Sequence, residues 1–196
     1  MQNPAGVSTP TLNAKDVRLE PVSMAHTEAL QPQFADWEII RHLSAKVPWP
    51  YPSDGVAQFF ESDLLPRIAA GKAHAWALIP KDAALNPTGE AAGLLEWRCD
   101  PEATDQRGFW IGRAYQGRGL MTQAVAAFQD WIFLELEQPL LVMHSATRNT
   151  ASARVKEKTG AEIVAVVELA HHEGVTETYR WELTKARWEE FRATCP

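Results

Sequence analysis

Two cysteines among 196 residues, Cys99 and Cys195, are too few for a disulfide-built scaffold. Neither lies in a Cys–His pattern, so both read as free thiols rather than nucleophiles. No His, Cys or Asp cluster has ligand spacing, so no metal is expected. No run approaches the roughly 20 apolar residues of a membrane helix. Residues 1–14 are polar and carry no signal-type apolar stretch, so a cytoplasmic protein without a membrane partner is expected. Basic charge is also short: 19 Lys and Arg stand against 25 Asp and Glu, a net charge of −6. That argues against direct binding to a nucleic acid backbone and suits a cationic, amine-bearing partner, although solubility alone accounts for the same sign.

What is present is an ordinary globular composition, 45% hydrophobic and 22% charged, with a length that fits one domain. Residues 1–14, with Pro, Gly, Ser, Thr and Asn, read as a flexible leader to a single domain over 15–196. Val17–Glu20 alternates as a strand. A helix is expected from Ser23 to about Trp37, kinked or split at Pro32, and a second from Ser53 to Ala70, stopped by Gly71. Between them, Val47-Pro48-Trp49-Pro50-Tyr51-Pro52 is an irregular aromatic loop. It either roofs an acceptor site or is a stiff surface loop that tucks Trp49 into the core, the second being slightly favoured. Strands follow over 73–80, 90–98 and 107–112, then a long helix to about Leu136, a strand over 140–146, a helix over 150–159, strands over 162–167 and 176–183, and a short helix over 185–193. Strands and helices are mixed, with one strand–helix–strand crossover over 107–146. The fold class is α+β, or an α/β layered domain around a mixed sheet.

The informative segment is Arg113-Ala114-Tyr115-Gln116-Gly117-Arg118-Gly119-Leu120-Met121-Thr122, between a strand and a helix. A diphosphate there meets unpaired N–H groups and the positive end of a helix dipole. Gly117 and Gly119 let the backbone approach, and Arg113 and Arg118 add charge-assisted contacts. A Gly-x-Gly turn alone is as well explained by a tight connection. It lacks both the Gly-Lys-Ser/Thr ending of a triphosphate loop and the third glycine of a dinucleotide fingerprint.

The run GFWIGRAYQGRGLMTQAV resembles the strand, phosphate loop and helix of the GNAT acetyltransferase superfamily, whose loop reads Gln/Arg-x-x-Gly-x-Gly/Ala; Gln116 and Gly119 match, and Met121 replaces a small residue. A second block, Asn149-Thr150-Ala151-Ser152 with Val155, Lys158 and Gly160, resembles the Asn-x-x-Ser…Lys-x-Gly-Phe block of the branch that acetylates protein N-termini, ribosomal proteins included. Ala161 stands where that branch has its aromatic. The resemblance implies a GNAT-like mixed, splayed β-sheet flanked by helices, with acetyl-CoA as co-substrate and an amine acceptor. The pantetheine arm would lie between the strands over 107–112 and 140–146. The residues expected at the coenzyme are Trp110, Ile111, Gln116, Gly117, Arg118, Gly119, Met121, Thr122, Asn149 and Ser152. Asn149 is equally good as a helix cap.

The chemistry needs a neutral amine, oxyanion stabilisation and a proton for the leaving thiolate. Many GNAT enzymes supply that proton from a tyrosine seven residues after the Asn. Lys156 holds that position here, so the donor is expected to be another group. Ser152 matches the serine of the N-terminal branch, though a serine is also an ordinary first-turn residue. For a base, the resemblance points just beyond the strand after Gly160, where Glu168, His171, His172 and Glu173 lie; His171 fits best by count and by its ordinary pKa, against the alternative of a solvated turn. Glu96, inside the apolar run GLLEW, points either into a cleft or to solvent and is the other candidate.

The expected activity is transfer of acetyl to a protein or peptide N-terminal α-amine. A small-molecule amine such as an aminoglycoside, polyamine or amino acid is the alternative acceptor, and a non-catalytic acyl-CoA-binding module the alternative class. A homodimer stays open.

Overall fold

A computed structural model describes residues 7–99, 103–172 and 174–194; Cys195 and Glu173 lie outside them. From Val7 onward the expected leader is part of the structure. Leu12–Asn13 (β1) pairs antiparallel with Val17–Pro21 (β2). The Pro10 carbonyl accepts from Trp76 Nε1 at 2.6 Å, and Thr9 Oγ1 lies 2.9 Å from His74 Nδ1. The polar composition of the segment concealed this, because its anchors are backbone and hydroxyl groups rather than apolar side chains.

The five-stranded sheet runs β1-β2-β3-β4-β5, with Ala73–Pro80 as β3, Gly93–Arg98 as β4 and Arg107–Ile111 as β5. Its central strand β3 is buried along its whole length, which explains why its sequence, AHAWALIP, carries no charge: it is covered on both faces. A three-stranded sheet follows in the order β6-β8-β7, from Leu140–Ala146 (β6), Glu162–His171 (β7) and Gly174–Thr184 (β8). Among the described residues, every strand pair is antiparallel. The expected α+β fold with a splayed sheet is what forms, the expected mixed sheet being two antiparallel sheets set edge to edge at β5 and β6.

Helices cover both faces. On one side lie Thr27–Phe34 (α1), Trp37–Ile40 (α2), Gly55–Phe59 (α3) and Leu65–Ala69 (α4). The helix expected from Ser23 to Trp37 is broken at Ala35–Asp36, where the Asp36 carboxylate caps α2 by accepting from Glu38 N. The helix expected from Ser53 to Ala70 widens into a π-helical turn over Phe60–Leu64, just ahead of Pro66, which lacks an N–H and crowds the carbonyl four residues back. Gly71 ends that helix in a left-handed conformation, φ 70°. On the other side, Leu120–Asp130 (α5), Thr150–Glu157 (α6) and Lys185–Thr194 (α7) cover a core that includes Trp76, Trp97, Phe128, Trp131, Met143 and Trp181. No helix among the described residues is long and apolar enough to cross a membrane.

Candidate active site

Among the described residues, the two sheets are joined at the head of β5. There Gln106 N donates to Val142 O at 2.9 Å. The next β6 donors turn to side chains: Val142 N to Gln106 Oε1 at 2.8 Å and His144 N to Asp105 Oδ1 at 3.1 Å. Because side chains satisfy these N–H groups, β6 needs no backbone partner on β5, and the strands diverge. Arg98 N donates to Gln106 O and Gly112 N to Ala92 O. Even-numbered residues of β5 thus turn their backbone toward β4, and by alternation Phe109 and Ile111 turn theirs to the open split.

At the far end of β5 sits the glycine loop. A tight turn, Arg113–Tyr115, precedes it, and Gln116 Nε2 donates back to Ile111 O at 3.1 Å, tying the loop to the strand. Gly117 and Gly119 have φ of 74° and 75°, the left-handed region that an L side chain enters at a cost. A Cβ on either would meet nothing within 4 Å. Glycine here serves the backbone conformation and leaves open space above the loop. The first N–H groups of α5 have no intrahelical acceptor and face the same opening, so loop and helix together form a concave donor site suited to a diphosphate. Gln116 to Gly119 are exposed, Thr122 is half-buried, and the Met121 side chain is buried in the core. Met121 therefore offers only its backbone, and its size does not narrow the loop. Arg113 is drawn to Asp36 at 3.4 Å, and Arg118 stays exposed. Trp110 turns its backbone to β4 and its ring to Phe34, 4.9 Å away; Ile111 is the residue of this pair whose backbone reaches the split.

Across the split, Asn149 caps α6: its side-chain oxygen accepts from Ser152 N at 3.1 Å. That leaves the Asn149 amide NH₂ for another acceptor, so the cap and a coenzyme contact are compatible. Ser152 Oγ accepts from Lys156 Nζ at 2.7 Å. Lys156 is 2% exposed, with Nζ 5.1 Å from the centre of the Phe109 ring. Burial, reinforced by the Arg107 guanidinium, pushes its pKa down to about 7. Arg107 is itself buried beneath the split, and burial brings it down to about 10. Lys156 was marked in the sequence only by its spacing, four residues after Ser152 and seven after Asn149, which puts all three on one helix face.

The two base candidates fare differently. Glu96 is buried on β4, with Oε1 2.5 Å from Arg67 Nη1 and Oε2 3.1 Å from Arg98 Nη2. It points into the fold, not to solvent, and each oxygen already faces a guanidinium. Taking a proton from an acceptor amine would weaken two ion pairs, so the structure favours a positioning role. Glu96→Gln is expected to lower stability by about 1.5 kcal/mol, the scale of a hydrogen bond to a charged group, and to leave turnover within about threefold. A collapse of kcat in the folded variant would restore the base assignment.

His171 ends β7. Its Nε2 lies 3.0 Å from Thr178 Oγ1, and Thr178 pairs with Ala146 at the end of β6, shortly before α6. Burial holds His171 below the ordinary imidazole value, and Arg148 acts the same way, so it is neutral at neutral pH and able to accept a proton. The strand pair β7–β8 runs up to His171 and Gly174, so the hairpin turn falls within this polar segment at His172, and Glu168 is exposed on β7. A bridge joins His171 to Ser44, three residues ahead of the aromatic loop, and His172 Nε2 lies 2.5 Å from Val47 O. Trp37 meets the Trp49 ring at 5.0 Å and the His172 ring at 5.7 Å. Trp49 remains 45% exposed, so the loop does not tuck it into the core; it forms a partly open aromatic wall beside His171. Among the described residues, no group of three or more His, Cys, Asp or Glu is placed to hold a metal.

The fold recurs in solved structures. RimJ of Mycobacterium smegmatis in complex with CoA-disulfide superposes with a TM-score of 0.78 at 17% identity, over 99% of this chain and 97% of that one. The ribosomal-protein-S5-alanine acetyltransferase of Vibrio fischeri gives 0.74 at 14% identity, over 91% and 98%. Spermidine N-acetyltransferase of Vibrio cholerae, with CoA and spermine, gives 0.70 at 12% identity, over 89% and 98%. These likenesses establish the fold. Residues 16–162 match the family model of the acetyltransferase (GNAT) domain, and on that match the chain belongs to the GNAT family and is an acyl-CoA-dependent N-acyltransferase.

Proposed function

We propose that this chain moves acetyl from acetyl-CoA to the α-amine of a protein or peptide N-terminus. The observation that carries the reading is the split between β5 and β6, with an open donor loop at one end and the Ser152 hydroxyl beside it. The diphosphate would rest on Gln116–Thr122 and the arm would bond to the backbone of Phe109 and Ile111. The carbonyl would meet those strand N–H groups as it gains charge. Ser152 would face the leaving sulfur, and His171 would take the proton from the acceptor nitrogen, directly or through water. Solved relatives of this fold include enzymes named for ribosomal-protein alanine acetylation, which supports a protein acceptor.

Amine chemistry supports the same choice. An α-amine has a pKa of about 7.7–8.0 and is partly neutral near pH 7, whereas a lysine amine near 10.4 is almost wholly charged. A neutral, half-buried histidine is matched to the easier amine. A second reading, a polyamine acceptor, is favoured by the net charge of −6 and by the fold shared with a spermidine acetyltransferase. Mass spectrometry of a peptide carrying both amines, run beside spermidine, decides between them. Label is expected mainly on the α-amine of the peptide. Label mainly on the lysine, or transfer to spermidine alone, would overturn the N-terminal reading and leave the coenzyme site intact.

A further inference from the structure

Lys156 has a place in the fold that packing does not explain. It lies one turn beyond Ser152 on α6, buried, and no carboxylate stands within ion-pair distance of it among the described residues. The charged groups that face it are Arg107 at the head of β5, which repels its charge, and Asp105 just before β5, which attracts it. His144 on β6 shares the same field, together with Arg180 on β8. A buried ammonium without a paired carboxylate is costly, and an apolar side chain of similar volume would fill the space at less cost. What the ammonium does have is one directed hydrogen bond, into Ser152 Oγ. A hydroxyl that accepts from an ammonium keeps its own hydrogen for another acceptor, and Ser152 is partly exposed beside the split.

We propose that Lys156 holds the proton that neutralises the departing CoA thiolate and delivers it through the Ser152 hydroxyl. The proposal rests on the acyl-transfer reading above. As the C–S bond of the tetrahedral intermediate breaks, the sulfur keeps the bonding pair and takes the hydrogen of Ser152. Ser152 Oγ takes a proton from Lys156 Nζ, leaving a neutral amine. The proton lost by the acceptor nitrogen passes by way of His171 to solvent, and solvent returns one to Lys156 once the products have left. The cycle closes with an amide and a free thiol. Burial sets the energetics: at about 7, Lys156 is a stronger acid than an ordinary thiol near 8.5, so transfer to sulfur runs downhill, whereas an unperturbed lysine near 10.4 would have to give up its proton uphill. Lys156 acts through Ser152 and need not touch the substrate.

The test combines kinetics with direct titration. Wild-type kcat is expected to fall as pH rises through the Lys156 value, because the protonated form is the active one. Lys156→Met should remove that falling limb and lower kcat by about 100-fold, the lower range for general acid catalysis, with acetyl-CoA affinity within about threefold. NMR of wild-type protein carrying labelled lysine, independent of any acceptor and of the folding of the variant, should show one lysine titrating near neutrality. Titration of every lysine near 10, or a folded Lys156→Met variant with unchanged kcat and pH profile, would overturn the relay. CoA release by no amine at all would sink the acyl-transfer reading and the relay together. Turnover in the wild type that survives in Lys156→Met sinks the relay alone.

Discussion

Ser152→Ala is expected to lower kcat by about 100-fold, about 2.7 kcal/mol of transition-state stabilisation, with acetyl-CoA affinity changed less than about threefold. The sulfur carries little charge in the bound thioester and much more as the C–S bond breaks, so a hydrogen bond to it grows along the reaction and is lost mainly from kcat. The same substitution takes from Lys156 Nζ its acceptor at 2.7 Å, and a buried donor left unsatisfied costs about 1–3 kcal/mol of stability. Melting temperature must therefore be read beside kinetics. Ser152→Thr keeps a hydroxyl and should recover a large part of the rate. A loss of kcat below about twofold in Ser152→Ala would make the residue structural, with water or the amine itself serving the thiolate.

Gly119→Val is expected to weaken CoA binding by about 10- to 100-fold, about 1.4–2.7 kcal/mol. A Cβ at this position meets nothing within 4 Å, so the branched side chain does not collide with the protein. It occupies the space where the diphosphate is proposed to rest. Backbone strain is the competing cause, because φ at Gly119 is 75° and a β-branched residue resists that region. Gly89 separates the two effects: it has φ 67°, equally open surroundings, and a place in the turn between β3 and β4 away from the split. Gly89→Val should lose comparable stability and keep full CoA affinity by calorimetry. Unchanged affinity in a folded Gly119→Val variant would remove the loop from the coenzyme site.

Much of this molecule is written locally. A strand, a turn with glycines at 117 and 119 and an amphipathic helix define the donor loop within about twenty consecutive residues, because left-handed turns and free helix N–H groups are properties of short segments. Asn149 as a cap, with Ser152 in the first turn of α6, is equally local. The π-helical turn ahead of Pro66 follows from a missing N–H, whereas Pro32 sits inside α1 without ending it, and the chain breaks later, at Ala35–Asp36.

Burial and charge partners are not local, and they decided the rest. Nothing in GLLEW tells that Glu96 meets Arg67, 29 residues away, so a candidate base became an ion-pair anchor. Nothing in the leader shows that Pro10 receives the Trp76 indole across 66 residues. The split itself depends on side chains of Asp105 and Gln106 taking donors from β6, a substitution of side chain for backbone that strand periodicity cannot express. Lys156 is the sharpest case. Its spacing from Ser152 was legible, but its chemistry was not, since a lysine's proton affinity is set by desolvation and neighbouring charge. Those come from Phe109 and Arg107 on a strand, and Asp105 just before it, which only the tertiary structure brings beneath α6.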